Sequence, residues 1–126
     1  MIAGFFGDED GLFFEIDLIA ADGLELPVDA LFDTGFSGWI AINNQDLDAL
    51  GWTYVEQQPM RTAQGEVEFD LYLGKVRIDE QEFNILVHVG SGVPEVLLGR
   101  QWLKTRRLVV DMPSDMLTLT PSQGFQ

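Results

Sequence analysis

The segment that most constrains this chain is Ala30-Leu31-Phe32-Asp33-Thr34-Gly35-Phe36-Ser37-Gly38-Trp39-Ile40. One apolar run delivers a single carboxylate into a turn of small residues, and a second apolar run leaves it. A buried strand that ends in a carboxylate is costly unless that group is used or well paired. Gly35 supplies backbone shapes that a Cβ resists. Thr34 and Ser37 can hydrogen-bond locally and hold such a turn. Two readings stand side by side: a reactive carboxylate at the mouth of a site, or a surface turn made of ordinary turn residues.

Around this segment the chain reads as short strands. Residues 11–21 place Phe14, Ile16 and Leu18 on one face and Glu15 and Asp17 on the other. Asp22-Gly23 turns, and residues 24–32 return with Leu26, Val28, Ala30 and Phe32 in phase, which predicts a hairpin. Residues 38–42 read as a short strand. Residues 43–51 read as one or two helical turns, capped by Asn43 or Asn44 and ended by Gly51. Pro59 breaks the next strand-like stretch. Ala63-Gln64-Gly65 lies at a hairpin tip between arms 55–62 and 66–73, and a second hairpin turns at Asp79-Glu80-Gln81-Glu82. His88, out of phase with Val87 and Val89, reads as a surface or edge histidine. After the loop Gly90-Ser91-Gly92-Val93-Pro94, a short apolar run ends at Gly99. Residues 100–107 read as a helix with basic residues at its C-terminal end. Two last strands, 108–111 and 116–120, precede a frayed tail at 123–126. About nine short strands with one or two short helices predict an all-β barrel or sandwich.

Composition narrows the chemistry. The 126 residues suit one domain, 1–126, and 46% hydrophobic content suits a packed core. There is no cysteine, which excludes a disulfide scaffold, a thiol nucleophile and a cysteine-based zinc site. The single histidine excludes a site that needs two. With 21 acidic residues against 7 basic ones, the net charge of −14 repels phosphate backbones and anionic membranes, so nucleic acid is not an expected partner. No apolar run is long enough to span a bilayer. The first residues carry no basic segment and meet Asp8-Glu9-Asp10 at once, so the expected location is cytoplasmic. Asp8-Glu9-Asp10-Gly11 lacks the acidic twelfth residue of a calcium loop, because that position is Ile19. No metal and no cofactor are expected.

Two turns share a pattern of apolar residues followed by glycine: Leu31-Phe32-Asp33-Thr34-Gly35 and Val96-Leu97-Leu98-Gly99-Arg100. With a hairpin about thirty residues after the first turn, and the second turn a similar step later, the order resembles the retropepsin-like aspartic proteases. Asp33-Thr34-Gly35-Phe36 and Leu97-Leu98-Gly99-Arg100-Gln101-Trp102-Leu103 look most like small prokaryotic members. The resemblance covers residues 12–103. It implies a closed barrel of short strands and hairpins, and hydrolysis of peptide bonds.

Peptide hydrolysis without metal or cysteine can use two carboxylates that share a proton, one acting as general base on water and the other as general acid. This chain carries one Asp-Thr-Gly. Asp111 lacks the Thr-Gly, and Asp29 lies along the same strand as Asp33. A two-fold homodimer is the economical solution, and the resemblance implies it too. By resemblance, Thr34 braces the pair, Gly35 lets substrate backbone approach, and the hairpin at Ala63, Gln64 and Gly65 closes as a flap on an extended peptide. Phe36, Trp39, Val93 and Leu97 are pocket candidates, and Gly99 and Arg100 structural ones. The chain departs from retroviral members at Phe36, where they have a small residue, and at Ser37, where they have the Asp that pairs with the helix Arg. It has one flap glycine, and it continues past the helix with a hairpin. The alternatives are a catalytically inactive module of the same fold that binds peptides or dimerises, and an unrelated β-barrel.

Overall fold

Strand alternation sets the architecture. The computed structural model describes residues 1–62 and 65–122. Ala63 and Gln64 of the expected hairpin tip, and the tail at 123–126, lie outside the described residues. The described strands are β1 (Ile2–Ala3), β2 (Phe5–Phe6), β3 (Leu12–Ile19), β4 (Glu25–Asp33), β5 (Ile40–Asn43) and β6 (Thr53–Thr62). They continue with β7 (Gly65–Ile78), β8 (Gln81–Gly90), β9 (Leu97–Gly99), β10 (Arg106–Asp111) and β11 (Met116–Pro121).

The strands form an eight-stranded sheet of order β2-β3-β4-β9-β5-β8-β7-β6 and a three-stranded sheet of order β1-β11-β10. In the larger sheet β3 also meets β7, at Asp17↔Arg77 and Leu18↔Val76. The run β3-β4-β9-β5-β8-β7 therefore closes on itself as the expected all-β barrel. β4 runs parallel to β9 and β5 parallel to β8, while β5 and β9 are antiparallel. Inward residues fill the barrel: Phe14, Ile40, Ile42, Val76, Val87, Leu98 and Trp102 are fully buried. Leu117 and Leu119 of the smaller sheet close one side of this core.

The strands of both predicted hairpins on the long strands pair, β6 with β7 and β7 with β8. The β7–β8 turn places Asp79 at φ 55° and Glu80 at φ 64°, the conformation of a tight two-residue hairpin. β7 is one continuous strand that serves both hairpins. Pro59 does not break β6. It sits opposite Glu68 on the outermost strand of the sheet, where a missing N–H costs no ladder bond. Both predicted helices are 3-10 turns, Asn44–Asp46 and Arg100–Lys104. The first is capped by Asn43, whose Oδ1 accepts from the Gln45 N–H, and ends at Asp46, while Gly51, at φ 66°, lies five residues beyond it. The second stops because Arg106 is drawn into β10 and buried over the rings of Phe83 and Trp102. The N-terminal strands β1 and β2 carry too few residues to show a period and owe their pairing to tertiary contact.

Candidate active site

Asp33 is the last residue of β4 and pairs with Gly99 across the parallel β4–β9 ladder. Its side chain is half-buried, while Thr34 and Gly35 are exposed. The Asp33 carboxylate folds back on its own turn: Oδ1 accepts from the Gly35 N–H at 2.9 Å. The Phe36 N–H donates to the Asp33 carbonyl at 3.1 Å. A Cβ on Gly35 would lie 3.1 Å from that same Oδ1. Among the described residues nothing else binds the carboxylate.

The turn is clamped from the second apolar-glycine segment. The Arg100 N–H donates to the Phe36 carbonyl at 2.9 Å, and the Gly99 N–H to the Trp39 carbonyl at 2.9 Å. The buried Trp102 adds its indole N–H to the same Trp39 carbonyl at 2.9 Å. A Cβ on Gly99 would stand 2.0 Å from the Gly38 carbonyl oxygen, so this approach admits glycine alone. The exposed Arg100 side chain donates to the Thr34 carbonyl at 3.1 Å. With Ser37 in place of an acid, the backbone of the Asp33 turn is the acceptor that Arg100 finds.

A cleft of about 430 Å³ opens beside the turn. Asp33, Gly35, Phe36, Val93 and Leu97 line it, as do Ala41, Phe69 and Pro94. Met60, Arg61, Val67 and Glu68 of the β6–β7 hairpin border the opposite side. Gly65 begins β7 but does not line the cleft, and Trp39 is absent from it, packing edge-on against Trp102 at 4.7 Å. The floor is an apolar cluster of Phe36, Ala41, Phe69 and Val93, with Met60 and Leu97 against it. Sequence reading missed Met60 and Phe69 as wall residues. The signal for Phe69 was its phase with Leu71 on the predicted hairpin arm. Asn43 was read only as a cap. It accepts from the Gln45 N–H and also donates to the Val93 carbonyl at 2.9 Å and the Ser91 carbonyl at 3.3 Å, which ties the 90–94 loop to the cleft.

His88 is a correction. It is buried, at 6% exposure, rather than at a surface or edge. β8 is covered on both faces here: Val87 and Val89 face the barrel, and His88 lies beneath the cleft floor against the edges of Phe36 at 5.3 Å and Phe69 at 5.8 Å. Nε2 is 3.1 Å from Gln58 Oε1, and Nδ1 has no partner among the described residues. Burial holds the imidazole below its ordinary pKa. A Cβ on Gly38 would lie 2.8 Å from the ring, so Gly38 makes room for it.

No protein-family model matches the chain, and no curated protein matches it. Solved structures do. A retropepsin-like aspartic protease from Rickettsia conorii is 23% identical, with a TM-score of 0.62 over 94% of this chain and 88% of that one. The EIAV protease in complex with the inhibitor HBY-793 is 16% identical, with a TM-score of 0.64 over 79% of this chain and 90% of that one. The chain has the retropepsin-like fold. No helix among the described residues is long and apolar enough to cross a membrane.

Proposed function

We propose that this retropepsin-like chain is an aspartic endopeptidase that works as a homodimer, with Asp33 from each copy meeting on the two-fold axis. The observation that carries the reading is Asp33 itself. It is a half-buried carboxylate at the mouth of an apolar cleft, held through one oxygen by its own turn. One copy offers one such group, and two are needed.

Two carboxylates brought together share one proton. The ionised member takes a proton from a water, whose oxygen attacks the peptide carbonyl carbon. The protonated member donates to the carbonyl oxygen. Collapse of the resulting gem-diol expels the amine, which leaves protonated, and releases the acid. Thr34 and Gly35 hold the turn, while Gly99 and Arg100 hold it from behind. The substrate lies extended in the cleft, with side chains against Phe36, Val93 and Leu97 and main chain paired to strand edges. The β6–β7 hairpin, with its tip expected from sequence at Ala63, Gln64 and Gly65, covers the peptide and excludes water.

Asp33→Asn removes the titrating group and keeps its shape. Hydrolysis of a mixed peptide library falls by about 10²–10⁴-fold, with circular dichroism unchanged. A variant that cuts as fast as the parent sinks the reading. The shared proton also sets an acidic optimum, and a rate that peaks above neutrality counts against it.

A further inference from the structure

His88 stands between the two walls of the cleft. Its neighbours across the ladders are Ala41 of β5 and Leu71 of β7. On one side of the ring, Nε2 is 3.1 Å from Oε1 of Gln58, on the β6 arm of the hairpin. Gln58 lies opposite Phe69, and the next residue but one along β6 is Met60, which lines the cleft. On the other side, a Cβ on Gly38 would lie 2.8 Å from Cε1 and 3.0 Å from Nδ1. Gly38 belongs to the segment that leaves the Asp33 turn, and Phe36 of the same segment meets the ring edge-on at 5.3 Å. One imidazole therefore spans from the hairpin arm to the Asp33 turn, with the floor of the cleft resting on it.

The surroundings suit a neutral ring. A carbonyl oxygen accepts, so Gln58 Oε1 takes the Nε2–H and leaves Nδ1 the bare nitrogen. A second proton would go to Nδ1 and set a charged donor against Gly38, with no acceptor among the described residues. Burial already disfavours that form. From β5 the ring meets Ala41, from β7 Leu71, from β6 Gln58, and from the turn Phe36 and Gly38, all uncharged. The charged groups of these elements are engaged elsewhere. Asp33 gives one oxygen to the Gly35 N–H. Glu56 is exposed opposite Leu71, one strand farther out, and Asp70 alternates to the face opposite Leu71. Lys75 and Glu82, farther along β7 and β8, pair with each other. A buried cation without an acceptor is relieved by moving toward water, and whatever rests on it moves too.

We propose that His88 is a positioning residue for the cleft: the neutral ring holds the hairpin arm and the Asp33 turn at the separation an extended peptide needs, and the protonated ring gives that separation up. His88 does not itself line the cleft. It acts through Gln58, Phe36 and Phe69. Peptide binding and a neutral His88 then favour each other, and linkage makes the coupling reciprocal. Loss of the ring's second proton tightens peptide binding, and bound peptide lowers the pH at which the ring takes that proton. The consequence for hydrolysis rests on the endopeptidase reading. There the Asp33 pair needs one proton while His88 must not gain one, so acid that serves the pair loosens the cleft. The coupling itself does not rest on that reading.

His88 is the chain's only histidine, so the resonance of its Cε1–H proton reports it without assignment. The test uses the full chain carrying Asp33→Asn, in which the reacting group no longer titrates. The probe is an end-capped apolar peptide with no titratable side chain. Saturating peptide lowers the titration midpoint of His88 by about one pH unit, and acid weakens peptide binding by the matching factor, about tenfold. His88→Gln keeps a donor toward Gln58 and cannot titrate, so its peptide affinity stays level from pH 8 to pH 5. Gln58→Met keeps the reach and removes the acceptor, which weakens binding about two- to tenfold at pH 8 with circular dichroism unchanged. A midpoint that peptide leaves in place, or an acid dependence that His88→Gln retains in full, overturns the proposal. So does a ring that takes no proton before the chain unfolds, or a cleft that takes no such peptide. The two readings fail separately. A coupled midpoint in a chain whose parent never cleaves peptide keeps the positioning role and removes the enzyme. Asp33-dependent hydrolysis with an uncoupled midpoint keeps the enzyme and removes the positioning role.

Discussion

Two buried polar side chains, Arg106 and His88, occupy sites built alike. Arg106 lies over Phe83 at 5.0 Å and Trp102 at 5.5 Å, donates to Gln81 Oε1 at 3.1 Å, and leaves Nε without a partner among the described residues. His88 lies between Phe36 and Phe69, meets Gln58 Oε1, and leaves Nδ1 without a partner among the same residues. The difference is charge. A guanidinium stays charged, and here it has aromatic faces and neutral oxygens but no carboxylate among the described residues. An imidazole can shed its proton, and burial favours the neutral form. Arg106 therefore sits where its long side chain fills the closed core at the start of β10. His88 sits where a smaller neutral ring can support a cleft.

The largest effect that sharpens this contrast comes from Arg106→Ala. Truncation empties the space beside Phe83 and Trp102, and core truncations of this size cost about 2–5 kcal/mol. Urea unfolding measures it. Arg106→Met keeps the volume and removes both the buried charge and the orphaned Nε, so most of that loss returns. If Met is as damaging as Ala, the guanidinium matters for its charge rather than its bulk, and the contrast with His88 is misdrawn.

His88→Ala comes next, at about 1–3 kcal/mol. It removes a smaller ring and one hydrogen bond. Its second readout separates the two sites: Phe36 and Phe69 lose their shared support, so on the proposed endopeptidase reading KM for peptide rises with little change in kcat. Arg106→Met leaves KM alone. Equal KM changes in the two variants would erase the distinction between a core support and a cleft support.

Neither site could be read from the chain alone, though much of the frame could. The 3–4 hairpin was legible because Leu26, Val28, Ala30 and Phe32 keep a strict period of two and Asp22-Gly23 breaks it. The Asp33 and Gly99 turns were legible because both follow apolar runs, and the ladder joins them at Asp33↔Gly99. Arg106 misled because basic residues after a short apolar segment suit a helix end, and only tertiary packing draws this one into a strand. His88 misled because period two assigns alternate residues to opposite faces, and the rule that one face is wet fails where a strand is covered twice. The Arg100 acceptor was invisible for another reason. It is a backbone carbonyl, that of Thr34, and no side-chain pattern announces one.

The smallest effect is a pH dependence that only one of the two sites can show. In the unfolded chain His88 titrates near an ordinary value of about 6.5. In the fold its pKa is lower, because burial penalises the imidazolium. Below about pH 6.5 the unfolded state therefore binds more protons than the folded state, and stability falls with pH. The contribution of His88 is fully present above that pH and is lost as pH falls through the folded pKa. One proton limits the slope to about 1.4 kcal/mol per pH unit. The chain's many carboxylates add their own acid dependence, so the measurement is a difference: urea midpoints from pH 8 to pH 5 for the parent and for His88→Leu. The parent curve falls more steeply across this window. Arg106→Met runs parallel to the parent, since the residue it replaces never changes charge there. Parallel curves for parent and His88→Leu would mean that the imidazole titrates as freely in the fold as outside it, and that the two sites do not differ in the way their charges imply.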